Sequence, residues 1–337
     1  MKEAMCYHRN DEDRTDCFLC AHHCRIKPGE RGKCGVRENR DGVLFSLAYE
    51  RIVAQNVDPI EKKPLFHFHP GTRSLSIATA GCNFSCVFCQ NADIALAPRE
   101  HIPVPNWRVP AREMVESALD SQCASISYTY TEPTIFMEYA VETAELAHAV
   151  GILNVFVTNG FMTREALDAA APFFDAANVD LKAFNDRFYV EQCGARLKPV
   201  LNTLETMKRL GLWTEVTTLL IPGLNDDPGE LRELAQFLTS LGPETPWHVT
   251  RFYPRYRLTD RPPTPVQTLR MAREIGLEAG LHHVYTGNVP GDDGENTCCR
   301  GCGKLLIERY GYTVRLCALK SGLCDQCGTP LAGVGIQ

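Results

Sequence analysis

The sequence predicts an α/β protein centred on a partial parallel barrel of six β/α units, a (βα)6 fragment of a TIM barrel. A Cys-rich segment precedes the barrel and a small knuckle module follows it. Three observations carry this reading. Between residues 74 and 279 short apolar strands alternate with helical stretches, as in a parallel sheet with right-handed crossovers. The 16 cysteines of the 337-residue chain fall mostly into tight groups. A Gly/Asp-rich stretch from Gly287 to Asn296 separates the barrel pattern from a CxxCG…CxxCG tail. The chain divides accordingly into 1–72, 73–292 and 293–337.

A net charge of −6 with no basic run argues against a nucleic-acid or membrane surface. No signal-peptide pattern opens the chain and no run approaches 18 apolar residues, so a cytoplasmic protein is expected. In that compartment, cysteines in CxxC-type groups point to metal or cluster binding rather than to disulfides. Cys6, Cys123, Cys193, Cys298 and Cys317 stand outside the groups.

Taken in order, residues 1–16 are polar and expected to fray. Cys17-x2-Cys20-x3-Cys24-x9-Cys34 follows, broken by Pro28-Gly29 and Arg31-Gly32 turns. Four thiolates at that spacing suit a structural zinc ion, our first reading, and equally a closed second [4Fe–4S] cluster. Residues 43–47 and 52–54 read as a hairpin or strand pair. His67 and His69, in the irregular segment 58–71, read as ordinary loop histidines.

The barrel strands are expected at 74–80, 125–130, 154–158, 178–181, 215–221 and 248–253. The helices are expected at 111–121, 134–149, 163–170, 200–210, 228–241 and 266–279. Thr163 and Asp227-Pro228 supply N-cap and first-turn signals. No phosphate-binding loop or GxGxxG follows any strand, which disfavours an open flavodoxin-like sheet.

Reactive groups in such barrels sit at the C-terminal strand ends. The first strand runs into Cys82-x3-Cys86-x2-Cys89. Three thiolates on one loop can hold three corners of a [4Fe–4S] cube, leaving one iron open to a chelating ligand. A zinc knuckle completed from elsewhere is the plainer alternative. The second strand ends at Thr131-Glu132-Pro133, the third at Thr158-Asn159-Gly160, the fourth at Asp180-Leu181-Lys182 and the fifth at Ile221-Pro222-Gly223. Cys193 follows the fourth strand and reads as a buried spare thiol or a hydrogen-atom donor. His248, Arg251, Tyr253 and Arg255 near the sixth strand read as substrate contacts or as rim salt bridges. In the tail, Cys299-x2-Cys302 and Cys324-x2-Cys327 flank a hairpin pattern, the signature of a zinc ribbon, with Cys298 a spare beside it.

The cysteine loop, with the aromatic Phe88 before its last cysteine, resembles the radical-SAM superfamily. The later strand ends are similar to glycyl-radical activating enzymes of the pyruvate formate-lyase type. Over nearly its whole length the chain resembles the radical-SAM enzymes of the AmmeMemoRadiSam system. This resemblance implies reductive cleavage of S-adenosylmethionine (SAM) at the cluster to give a 5′-deoxyadenosyl radical. That radical would abstract hydrogen from a peptide, protein or small molecule. It implies Cys82, Cys86 and Cys89 as ligands, Phe88 beside the adenine, and Thr131, Glu132, Asn159, Asp180 and Lys182 as SAM contacts, with Lys182 on the carboxylate. The family's Gly-Gly before Glu132-Pro133 is replaced by Tyr130-Thr131, and the activase's cation-binding aspartate by Val157. Memo-like and AMMECR-type proteins are implied as partners, and a ferredoxin or flavodoxin as low-potential electron donor. The alternatives are a glycyl-radical activase and, in another class, a metal-bearing interaction module with a vestigial cluster. Activases with extra clusters carry them just after the cysteine motif, where this chain has no such insert.

Overall fold

The computed structural model describes residues 1–316 and 318–336, so the unassigned Cys317 lies outside the described residues. Seven parallel strands form the body of a nine-stranded sheet: β1 (Arg73–Thr79), β2 (Ser125–Tyr128), β3 (Leu153–Thr158), β4 (Ala176–Asp180), β5 (Trp213–Leu220), β6 (Trp247–Arg251) and β7 (Val284–Gly287). They lie side by side in chain order, as right-handed β/α crossovers dictate. The crossovers carry α1 (Ala111–Asp120), α2 (Met137–His148), α3 (Arg164–Ala170), α4 (Leu197–Arg209), α5 (Pro228–Leu241) and α6 (Val266–Glu278). The expected six units are all present, and β7 extends the sheet by one further parallel strand.

Local chemistry sets these elements. The Thr163 hydroxyl accepts the Ala166 N–H at 3.2 Å to start α3, and Asp227 accepts the N–H groups of Gly229 and Glu230 at α5, with Pro228 in the first turn. Strand residues such as Ile77, Ile126 and Val216 are wholly buried beneath the helices. Trp247 is buried as well and donates its indole N–H to Thr218 Oγ1 at 2.9 Å.

Before the barrel the structure departs from expectation. Residues 1–16 are not frayed: Lys2–Glu3 pairs with Phe45–Ser46, and Tyr7–Arg9 with Thr15–Cys17. Backbone bonds hold the segment, with Ala4 N–H donating to Leu44 O and Met5 N–H to the Glu138 carboxylate. Residues 43–57 do not pair with one another. Val43–Ser46 joins Arg37–Arg40, whereas Arg51–Pro59 runs antiparallel to β1 and covers the edge of the sheet.

The segment 60–71 closes the N-terminal end of the barrel. Phe66 and His67 donate their N–H groups to the Glu215 carboxylate on β5, at 3.0 and 2.8 Å. His67 Nε2 meets the Tyr285 hydroxyl on β7 at 2.6 Å. His248 lies 2.7 Å from Glu215, buried near the start of β6. It is therefore removed from the substrate role considered for it, because it sits at the opposite end of the strand from the cysteine loop. Arg251 instead holds Thr264 O at 2.8 Å.

The C-terminal residues dock on this closed end. Arg309, 4% exposed, donates to Phe66 O and Thr297 Oγ1 and lies over the Phe66 ring at 4.2 Å. Residues 332–334 bind back to the same segment: Val334 N–H donates to His67 O, and His69 N–H to Val334 O.

Candidate active site

Five consecutive strand ends converge on the cysteine loop and are joined by hydrogen bonds. Glu132, buried at the start of a short 3-10 turn, accepts Thr134 N–H, Thr134 Oγ1–H and Thr158 Oγ1–H on one oxygen. Its other oxygen accepts Asn159 N–H at 2.8 Å. Burial raises this carboxyl above the usual range, and the donors pull it back only in part. Asn159 donates its amide to Asn83 Oδ1 at 2.7 Å, with Cys82 Sγ at 3.9 Å, and accepts Phe161 N–H. The Asn159 amide N–H groups thus hold the cysteine loop, while its oxygen braces its own turn at Phe161. Thr131 ties its hydroxyl to Thr79 O at 2.8 Å.

On the other side stands Lys182. Its ammonium lies 2.9 Å from Asp180 and 5.8 Å above the centre of the buried Phe88 ring. Burial would lower its pKa, but Asp180, Cys86 and Cys193 hold it well above the usual value, so Lys182 is a cation beside the cysteine loop. Its N–H donates to the Tyr189 hydroxyl, and its carbonyl accepts the Asn225 amide at 2.6 Å. Asn225, in the loop after β5, was not singled out by sequence reasoning, and neither was Asn83. Cys193 is wholly buried, and its thiol meets that of Cys86. Its carbonyl accepts Ser85 N–H at 2.9 Å, fastening the cysteine loop from behind.

The loop itself is built for anionic sulfur. Phe84 N–H points to Cys82 Sγ at 3.3 Å, and Asn91 N–H to the Cys89 thiol. Burial raises the Cys82 thiol well above its ordinary value and the Cys89 thiol to about 11, while Cys86 is raised first by its hydrogen bond with Cys193. A cationic iron core is what would draw these protons off. Three thiols on one loop, with N–H donors at Cys82 and Cys89 and the Lys182 cation beside Cys86, are a donor set that fits three corners of a [4Fe–4S] cluster with one iron left open.

The C-terminal quartet is a different kind of cage. Cys299 and Cys327 have their sulfurs 3.5 Å apart, Cys302 and Cys324 3.7 Å apart. One tetrahedral ion with metal–sulfur bonds near 2.3 Å sets an edge of about 3.8 Å. The quartet is therefore sized for a single ion. Cys298 is exposed and stays outside it.

A conserved-domain description of the radical SAM superfamily matches residues 76–238, the stretch from β1 through most of α5. The chain belongs to the radical SAM superfamily, and membership implies a [4Fe–4S] cluster and SAM. It is 46% identical to an uncharacterized protein of Methanocaldococcus jannaschii over 97% of this chain and 98% of that protein. A putative glycyl-radical enzyme activating enzyme of the same organism is 24% identical over 64% of this chain and 79% of its own length. A radical SAM methyltransferase from Sphaerobacter thermophilus shares the fold with a TM-score of 0.51, at 19% identity over 71% of each chain. No described helix is long and apolar enough to cross a membrane.

Proposed function

We propose that Cys82, Cys86 and Cys89 hold the cluster and that the chain uses SAM to generate a 5′-deoxyadenosyl radical. That radical takes hydrogen from a peptide, protein or small-molecule substrate presented with Memo-like and AMMECR-type partners. The observation that carries this reading is the placement of the Lys182 cation beside the Cys86 thiol at the mouth of the sheet. Bound there, the cluster and SAM supply one-electron cleavage of a carbon–sulfur bond. The chain's own residues bind and orient. Lys182 pairs with the SAM carboxylate, the Thr131–Glu132 turn and its carbonyls receive the amino group, and Phe88 offers an apolar face to the adenine. Asn159, Asn83 and Asn225 keep the strand ends in register. Zinc is the ion proposed for the C-terminal quartet, and a ferredoxin or flavodoxin the electron donor.

Protein reconstituted anaerobically and given dithionite and SAM should form 5′-deoxyadenosine and methionine. Iron and sulfide binding with no such product would instead support the vestigial-cluster module. The strand-end motifs Thr158-Asn159-Gly160 and Asp180-Leu181-Lys182 favour a second reading, a glycyl-radical activase. A glycyl-radical EPR signal on mixing with a partner enzyme would establish it over the first.

A further inference from the structure

The loop between β6 and α6 is basic in an acidic chain. Residues 251–261 hold four arginines and one aspartate, while the net charge of the whole protein is −6. Rim salt bridges, one of the two roles open to Arg251 and Arg255, are not what the structure shows. Among the described residues, Arg257 alone of the four arginines has a carboxylate partner, Glu100 at 3.3 Å, and both side chains are exposed. An exposed pair of this kind contributes little and can yield to a competing carboxylate. Arg261 meets Pro222 O at 3.2 Å and Arg251 meets Thr264 O at 2.8 Å, so neither charge is neutralised. Arg255 is exposed, and its side chain has no partner among the described residues.

This loop is fixed against the candidate site. Arg257 N–H donates at 3.0 Å to the carbonyl of Val87, which lies between Cys86 and Cys89. The Tyr253 hydroxyl donates to Asn288 O after β7, and Arg261 reaches the turn after β5. The arginines therefore line the mouth from the last strand ends across to the cysteine loop. Their placement is set before any ligand arrives. Thr264 Oγ1 accepts Phe252 N–H at 2.9 Å, Arg255 and Leu258 exchange main-chain hydrogen bonds at 3.1 Å, and Pro254, Pro262 and Pro263 restrict the backbone. The Arg251 and Arg257 guanidiniums lie over the rings of Tyr253 and Tyr256, at 5.1 and 5.0 Å. A loop ordered in this way loses little entropy when it binds.

Guanidinium forks without a counter-charge match the two oxygens of a carboxylate. Their position on the exposed rim suits a chain that leads out of the mouth, whereas a small molecule would be held within the sheet. Nucleic acid is gripped by a broad basic face, and here the excess is confined to one loop of an acidic protein. We infer that the substrate is an acidic peptide or protein segment, held at the rim by Arg255, Arg257 and Arg261 while its reacting residue lies over the cysteine loop. The inference rests on the function proposed above and names the class of substrate for it.

The test uses the full chain, loaded with cluster and SAM but not reduced. The probes are a fluorescein-labelled peptide of alternating glutamate and glycine, its glutamine counterpart, and a single-stranded oligonucleotide of the same net charge. Anisotropy should show saturable binding of the glutamate peptide, weakened by added salt, and none of the glutamine peptide. Arg255→Gln/Arg261→Gln should weaken that binding at least about tenfold, as loss of two charge-assisted contacts requires, with the iron content of the wild type. Arg164→Gln, which removes the same charge from the exposed face of α3, should change it by less than about twofold. No binding by the wild type, equal binding of the two peptides, or wild-type affinity in the double variant overturns the inference. Tighter binding of the oligonucleotide than of the glutamate peptide overturns it too and assigns the loop to nucleic acid. Because binding is read without turnover, these outcomes stand apart from the 5′-deoxyadenosine assay, whose failure would strike the proposed function.

Discussion

The hydroxyl of Tyr130 donates to the carboxylate of Asp58, and Tyr130 holds a left-handed backbone with φ of 63°. A left-handed residue other than glycine costs ~1–2 kcal/mol unless its surroundings fix it. Here Asn91 donates to Tyr130 O at 2.7 Å, and the Lys63 ammonium lies 4.7 Å from the ring centre and 2.6 Å from Asp58. This left-handed turn is thus kept by a tyrosine anchored to the segment before β1.

Tyr130→Phe should lower stability by about 1–2 kcal/mol, through loss of the hydrogen bond to a buried carboxylate. Tyr130→Ala should further loosen the 129–132 turn and weaken SAM binding. Urea unfolding and SAM titration of the cluster-loaded variants check both. Wild-type SAM affinity in Tyr130→Ala would mean that this anchor does not shape the SAM-binding turn.

Lys182→Ala should weaken SAM binding by roughly 30-fold, the lower end of what an unpaired ligand charge costs. Iron content should not change, because Lys182 is not a ligand. Asp180 loses its partner but remains partly exposed, so the variant should fold. A titration of SAM against the reduced, cluster-loaded variant gives the answer. A change below about threefold is what a rim lysine would show, and it would take Lys182 out of the site.

Stability should fall as the solution is acidified below pH ~6.5, the ordinary value for histidine. Burial, reinforced by His283, lowers His67 to about 3, and burial lowers His283 to about 3 as well. Both rings stay neutral in the fold at pH values where the unfolded chain protonates them. Between ~6.5 and ~3 each should cost about 1.4 kcal/mol per pH unit, and below both values the loss levels off. His283→Gln should reduce the slope in this window by up to about 1.4 kcal/mol per pH unit, measured by urea midpoints from pH 7 to 5. The remainder comes from His67, from His22, which burial lowers to about 4, and from His69 and His282, which burial also lowers. An unchanged slope would assign the acid sensitivity elsewhere.

Cys302→Ser should release about one metal ion and open residues 296–336 to protease. Because Arg309 and residues 332–334 are built into the closed end of the barrel, thermal stability of the whole chain should fall with it. Core iron should persist, since the cysteine loop lies at the other end of the sheet. Unaltered melting with a lost ion would make the C-terminal residues a separable appendage.

The parallel sheet was legible because strand and helix periods differ and each strand end carried distinctive polar residues. Placing Lys182 beside the cysteine loop needed only its position at the end of the fourth strand. What pattern could not give was the fate of short polar elements. Residues 1–16 have no periodic apolar face, yet Ala4 is buried where its N–H meets Leu44 O, and Thr15 is buried between the strands of Arg9 and Ile26. His248, first in the expected strand, was grouped with Arg251 and Tyr253 at its far end, although the two ends of a parallel strand open on opposite faces of the barrel. Asn83, Asn159 and Asn225 work through side-chain amides that join different loops, and such partners are fixed by the fold, not by neighbours in sequence.

The link between His67 and Ala332 spans 265 residues of chain. During synthesis, Phe66 to His69 leaves the ribosome early, yet Phe66 O waits for Arg309 and His67 O for Val334. The barrel therefore cannot close its floor strand by strand. A nascent chain stalled before residue 309 leaves the carbonyls of Phe66 and His67 without their Arg309 and Val334 partners, so the floor of the barrel stays open to chaperones and proteases until those residues arrive. Contacts of such long sequence separation also slow the final folding step.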